Sequence, residues 1–329
     1  MACTNPLTAW KYGVTKNGKQ ALTFKQPPEV EGEFETQLVP CGKCDSCRID
    51  HSRDWATRVF HEMQIARIGC FITLTISNKH MVKSGFHRKE IVKGEEKLVY
   101  YPPYSVYKRS LQLFLKRLRK AIAVSDGNKK HYQKFRYLGC GEYGEHYLRP
   151  HYHMVIMGYD FPDKKYWQTS SSGMEIYRSA LLEGCWPYGY SSIGEANWQT
   201  AAYIARYTLK KRRDPQAYQR VDKETGEWTE LNPEFLIMSK GIGQDWWKKY
   251  RVDTDKDYLI VDRDKTVRVP RYYDKLREKL DPESLADIKS AREKEALERQ
   301  KEDTVVRKSA RAIVKKAQKN MLKRGLESA

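Results

Sequence analysis

The period of the hydrophobic positions changes several times along the chain, and each change marks an element. Residues 1–40 are mixed and turn-rich ("TNP", "KNGK", "QPPEVEGE"), the pattern of an irregular or short-stranded segment. Ile49, Trp55, Val59, Met63 and Ala66 then recur at roughly helical spacing, and the β-branched run "CFITLTIS" (70–77) follows as a strand. A charged stretch over 79–103, closing on Pro102 and Pro103, predicts a hairpin or loop. Ser105 stands before "VYKRSLQLFLKRLRKAIA", where Leu111, Phe114, Leu115, Leu118 and Ile122 share one face and basic residues the other, the clearest helix of the chain. "KFRYLGCGEYG" (134–144) and "HYHMVIMG" (151–158) are strand-like runs around a polar turn, hence an antiparallel pair. A helix near 174–183, a short strand around 188–193 and a helix from Asn197 ("NWQTAAYIARYTLKK") complete the set.

The order β-α-β-β-α-β predicts an α+β fold, a ferredoxin-like split βαβ antiparallel sheet with helices on one face and the other face open. A Cys-rich N-terminal module over 1–60 precedes this domain, which spans 61–270. A tail over 271–329, rich in Lys, Arg, Glu and Ala and without aromatics after Tyr273, is expected to be a charged helix or partly disordered.

Charge narrows the partner. The 329 residues carry a formal net charge of +19, with Lys and Arg spread along the chain. That balance favours a polyanion, most simply nucleic acid, because neutralising phosphates releases counterions. No apolar run approaches the roughly 18 residues needed to span a bilayer. No signal-peptide h-region follows Met1, so the protein is expected to stay where it is made.

Three sets of residues carry candidate chemistry. His151 and His153 alternate with Tyr152 and so share one face of a strand, where two imidazoles can grip one cation. Chance alone would give roughly 0.2 such pairs in this composition, so the surroundings must support the reading. Glu142 and Glu145 lie on the paired strand and its turn, and a hairpin would bring one of them across. Two nitrogens and a carboxylate, with open positions, suit Mg2+ or Mn2+ as a Lewis acid, and Zn2+ would also fit.

Tyr203 and Tyr207 lie four apart on a predicted helix, with Lys210 and Lys211 a turn later. Alone, this is the pattern of an amphipathic core stripe, since about 1.5 Tyr pairs at that spacing arise by chance. Beside a metal-binding strand, a phenol can attack a polarised phosphodiester, leaving a covalent phosphotyrosine and a free 3′-hydroxyl. A neighbouring lysine would stabilise the developing charge. The third set is Cys41, Cys44 and Cys47, a C-x2-C-x2-C cluster to which Cys3 could add the fourth thiolate of a structural zinc site. Seven cysteines, an odd number with three crowded together, fit reduced thiols better than a disulfide framework. The cluster is also half of a zinc-deaminase signature, but the first histidine, His51, follows it where that signature needs one before.

"CFITLTIS", "RPHYHMVIMG" and "YIARYTLKK", in that order, are where the sequence resembles the HUH-superfamily rolling-circle replication initiators, in particular those of Microviridae (gokushovirus-type). "PCGKCDSCR", "GCGEYGEHYLRPHYH" and "MSKGIG" (238–243) extend the likeness; Tyr152 departs from the more apolar residue usual between the histidines. The resemblance implies a site-specific, metal-dependent nickase and ligase acting on single-stranded or origin DNA of a circular genome. It implies Tyr203 and Tyr207 as nucleophiles, Lys210 beside them, and His151, His153 and Glu142 as ligands of catalytic Mg2+ or Mn2+. No G-x-x-x-x-G-K-[ST] occurs, so helicase and polymerase would come from a bacterial host, in whose cytoplasm the protein would act. The rival reading is a non-enzymatic, zinc-dependent single-stranded nucleic-acid-binding protein whose tyrosines stack bases.

Overall fold

The structure is a computed structural model. It describes residues 3–15, 20–25, 35–92, 94–125, 135–144, 147–171, 173–210, 218–221, 226, 228–256, 258–262, 265–301 and 303–321, the side chains of 207–210, 261, 262, 265 and 299–301 excepted. In chain order come β1 (Leu7–Val14), β2 (Gln20–Thr23), β3 (Thr36–Val39), α1 (Asp45–Ala66) and β4 (Gly69–Thr75). A hairpin, β5 (Phe86–Val92) and β6 (Glu95–Tyr101), precedes α2 (Lys108–Ser125), β7 (Arg136–Tyr143) and β8 (Pro150–Met157). Next are β9 (Lys165–Thr169), β10 (Glu175–Arg178), α3 (Ala180–Cys185), β11 (Ser191–Glu195) and α4 (Trp198–Lys210). Then follow β12 (Gln219–Val221), β13 (Trp228–Glu230), β14 (Phe235–Met238), α5 (Gln244–Tyr250), β15 (Tyr258–Asp262) and β16 (Lys265–Arg268). Three helices end the series, α6 (Arg271–Leu280), α7 (Pro282–Lys301) and α8 (Val305–Met321).

The fold is mixed α+β. Its described residues divide into two compact units, one within Met1–His51 and Asp274–Lys323, the other within Ser52–Tyr273. The first unit holds the three-stranded sheet β2-β1-β3 and the four cysteines of the N-terminal cluster. No helix among the described residues is long and apolar enough to cross a membrane.

The second unit is built on a seven-stranded antiparallel sheet of order β14-β7-β8-β4-β11-β10-β9. β8 pairs antiparallel with both β4 and β7, so these two strands, connected in sequence through α2, run in the same direction with β8 between them. Alternation along β8 divides its side chains between two cores. Tyr152, Met154 and Ile156 join Ile72 and Leu74 of β4 beneath Leu111, Phe114, Leu118 and Ile122 of α2. Val155 and Met157 face the other way, with Phe71, Leu138 and Cys140, and pack against Val59 of α1 and Ala201 and Ile204 of α4. Full burial of a side chain such as Phe114 contributes about 1.5–3 kcal/mol.

Two expectations are corrected here. Helices cover both faces of the sheet rather than one, because the second face is as apolar as the first away from the histidines and must also be taken out of water. The segment near 174–183 is not one helix: Glu175–Arg178 is a strand paired with β9, and α3 starts only after Ser179, whose hydroxyl accepts from the Leu182 amide and caps it. The charged stretch before α2 forms the β5–β6 hairpin.

The second unit is tied at one end by a buried ionic network. Glu62 of α1 accepts from Arg136 Nη1 at 2.6 and 2.7 Å and from the Gly243 amide at 2.8 Å, and Arg136 reaches Asp245 at 2.8 Å. Gly243 sits at φ 81°, and a Cβ there would lie 2.6 Å from the Tyr273 hydroxyl, so glycine is required on both counts.

His61, beside this network, stacks on Trp246 with 3.5 Å between ring centroids, and its Nδ1 lies 2.8 Å from the Tyr273 hydroxyl. Burial pushes its pKa down to about 3. The folded value lies below the unfolded value of about 6.5, so the stability carried by the neutral ring is complete above that pH and is lost as pH falls from there towards the folded pKa. The melting temperature should therefore decline from about pH 6.5 to pH 5, where most carboxylates are still ionised. His61→Gln should flatten that decline, and an unchanged slope in the variant would refute the assignment.

Candidate active site

Register places the site. Glu142 of β7 stands opposite His151 of β8, and Thr73 of β4 stands opposite His153. Glu142, His151, His153 and Thr73 all fall on the sheet face that α4 covers. Glu142 Oε1 lies 2.9 Å from His151 Nε2 and 2.9 Å from His153 Nε2. Glu142 and His153 are buried, whereas His151 reaches the surface in part.

Hydrogen bonds define what these groups carry. His151 Nδ1 is 3.1 Å from the Arg149 carbonyl oxygen, an acceptor, so the proton sits on Nδ1 and the Nε2 lone pair faces Glu142. A carboxylate oxygen 2.9 Å from that nitrogen then requires positive charge between them, either a second proton or a cation. His153 is oriented by Thr73, whose hydroxyl lies 3.0 Å from its Nδ1. Burial opposes ionisation of Glu142, but the two imidazoles outweigh it and hold the carboxyl well below the usual range.

The set fits a divalent ion. The three ligand atoms lie within 4.8 Å of one another. A separation of about 3 Å is the edge of an octahedron with metal–ligand bonds of about 2.1 Å. Each imidazole also has the outer hydrogen-bond partner that metal-binding histidines use to fix ring and tautomer.

Helix α4 brings a phenol to the same place. Asn197 caps it: its side-chain oxygen accepts from the Thr200 amide at 3.0 Å, and its own amide donates to the Thr200 hydroxyl at 2.8 Å. With Ala201 and Ile204 buried against the sheet, Tyr203 points inward and its hydroxyl donates to Glu142 Oε1 at 3.4 Å. Its ring meets His153 edge-on at 5.3 Å, and Arg206 stands 5.8 Å from it on the outer side. Tyr207 and Lys210 belong to the same helix, with their side chains outside the described residues; Glu145 and Lys211 lie outside them altogether. Sequence reasoning missed Thr73, Arg149 and Arg206. Thr73 shares the parity of the histidines, but only the β4–β8 register makes that meaningful.

The cysteines form a second cluster, with Cys3 Sγ 3.6 Å from Cys41 Sγ and 3.8 Å from Cys44 Sγ, and Cys47 within the same group.

Comparison with known proteins gives a consistent picture. The family model of replication-associated protein ORF2/gene-2 protein matches residues 69–212, the segment that carries every residue of the Glu–His–His–Tyr site. A replication-associated protein of Spiroplasma virus 4 is 32% identical over 311 residues, covering 90% of this chain and 87% of the relative. One of Bdellovibrio phage phiMH2K is 26% identical over 287 residues, covering 86% and 79%. One of Chlamydia phage 1 is 26% identical over 246 residues, covering 74% and 54%. No solved structure matches the chain.

Titration with Mn2+, followed by electron paramagnetic resonance, should show one ion bound at this site in the parent. Glu142→Gln should abolish that binding. Thr73→Val, which removes only the outer partner of His153, should weaken it by about 10-fold or more. Parent-like affinity in both variants would rule out the ligand set.

Proposed function

The chain belongs to the replication-associated protein ORF2/gene-2 protein family, and from that premise we propose that it initiates replication by nicking single-stranded or origin DNA with a tyrosine, in the manner of the HUH endonucleases. The insertion of antiparallel β8 between β4 and β7 supports the corresponding ferredoxin-like split βαβ reading of the sheet. The observation that carries the proposal is the Tyr203 hydroxyl, held 3.4 Å from the one carboxylate oxygen that both histidines approach. A tyrosine that only filled the core would have no reason to end there.

Glu142, His151 and His153 would hold Mg2+ or Mn2+, which supplies Lewis-acid polarisation of the phosphate when bound. The chain's own groups do the rest. Thr73 and the Arg149 carbonyl hold the two imidazoles so that their Nε2 atoms face inward. Helix α4 aims the Tyr203 oxygen at phosphorus. As the Tyr203 O–P bond forms, the P–O3′ bond breaks; the phenolic proton is lost to water and the departing 3′-oxygen takes one up. The product is a 5′-phosphotyrosine and a free 3′-hydroxyl, and the reverse attack by that hydroxyl rejoins the strand. Arg206, and Lys210 on the same helix, supply positive charge beside the phosphate. Tyr207, one turn further along, would serve as the second nucleophile. Circular single-stranded genomes, a host helicase and polymerase, and the bacterial cytoplasm are the setting this chemistry requires.

The test is a denaturant-resistant protein–DNA adduct formed from origin-bearing single-stranded DNA and Mn2+. Tyr203→Phe should slow its formation roughly 100-fold or more, since the remaining phenol starts a helical turn away. Tyr207→Phe should keep the first cleavage but impair strand transfer, and the double variant should form no adduct. Tyr→Phe deletes one hydroxyl, so the fold should survive all three. A double variant that cleaves like the parent, or a phosphotyrosyl peptide mapped outside residues 203–207, would refute the assignment and favour a protein that only binds DNA.

A further inference from the structure

The nicking chemistry leaves the cysteine cluster of the first unit unexplained. We propose that Cys3, Cys41, Cys44 and Cys47 bind one zinc ion as a closed tetrathiolate centre, and that this ion, in place of an apolar core, keeps the first unit folded.

Geometry carries the first half. The four sulfurs lie within 4.8 Å of one another, with Cys3 Sγ at 3.6 Å from Cys41 Sγ and 3.8 Å from Cys44 Sγ. The edge of a tetrahedron with Zn–S bonds of about 2.3 Å is about 3.8 Å. A disulfide would need about 2.05 Å, and all four cysteines are free thiols. Backbone amides already point at the sulfurs: those of Lys43 and Cys44 donate to Cys41 Sγ at 3.4 and 3.3 Å, and that of Cys41 donates to Cys3 Sγ at 3.4 Å. Amide donors of this kind favour the thiolate over the thiol. Four protein ligands fill a zinc coordination sphere and leave no position for water or substrate, so the centre is structural.

The poverty of the unit's interior carries the second half. Among its described residues only Cys3, Ala9, Ile49 and Leu285 are buried apolar side chains. The strands around them are exposed where a core would be expected: Val14 is 68% and Phe24 59% accessible, and in the C-terminal helices Val305, Val306 and Ile313 all exceed 70%. Such a piece buries too little to offset its chain entropy. Ion binding by the folded form alone would supply what is missing. The centre ties the residues just before β1 to the turn between β3 and α1 and to the first turn of α1 itself. One residue after Cys44, Asp45 takes Lys319 of α8 at 2.9 Å, so the C-terminal helix is anchored at the same point.

Hydrogen exchange on the full chain, under reducing conditions and with or without a strong chelator, tests both halves. We expect one zinc per chain by elemental analysis, and Co2+ added to stripped protein should give the intense visible bands of a tetrahedral thiolate site. Chelation should remove protection within residues 3–51 and 274–321 while β4, β7 and β8 keep theirs, and added Zn2+ should restore it. The same pattern in Glu142→Gln would separate this effect from the histidine site, whose failure would leave the result unchanged. Cys44→Ser should reproduce the chelated state; should it not fold, Cys47→His, which keeps four ligands, should retain zinc and protection. Protein with no metal and full protection, a disulfide among the four cysteines, iron in place of zinc, or protection lost equally in both units would overturn the proposal.

Discussion

The pairing register of β7, β8 and β4 is the constraint on which the candidate site depends. It alone sets Glu142 opposite His151 and Thr73 opposite His153. A slip of one residue in either ladder would turn the facing side chains to the other side of the sheet. Register is secured by what lies further along the same strands. Tyr152, Met154 and Ile156 must face α2 while Val155 and Met157 face α1 and α4, and no shifted pairing satisfies both cores. The apolar residues thus position the polar ones.

Placing a carboxylate with no exposed surface between two imidazoles is unfavourable unless positive charge accompanies it. Glu142 therefore cannot be understood as a packing residue. The second sheet face makes the same point from another side, since α4 closes over it and removes solvent that would otherwise screen the site. The helix that completes the core also delivers Tyr203 to the carboxylate. Packing and chemistry share one element, and the substitutions that best separate them remove a single polar atom, as Tyr→Phe or Thr→Val does.

The two ligand clusters differ in kind. Glu142, His151 and His153 leave coordination positions open at one edge of a rigid sheet, as a reacting phosphate would require. The four cysteines close on themselves and involve a segment with almost no apolar interior. One arrangement needs an accessible ion held by a stable scaffold. In the other, the ion takes the place of the scaffold.

Much of this was legible in the sequence. Period-two alternation identified β4, β7 and β8, the stripe from Leu111 to Ile122 identified α2, and the parity of His151 and His153 put both on one face, because these signals depend on neighbours within a few residues. C-x2-C-x2-C was legible for the same reason. Other features required the folded chain. The division of 174–183 into a strand and a capped helix turned on pairing with β9, and the closure of the second sheet face turned on the packing of α1 and α4. Nothing in the local pattern singled out Thr73 or Arg149, or determined that Tyr203 would meet Glu142, 61 positions away. Local periodicity determines which side chains share a face; which faces meet, and at what register, is decided only when distant strands and helices pack, because the free energy that selects the pairing belongs to the whole core.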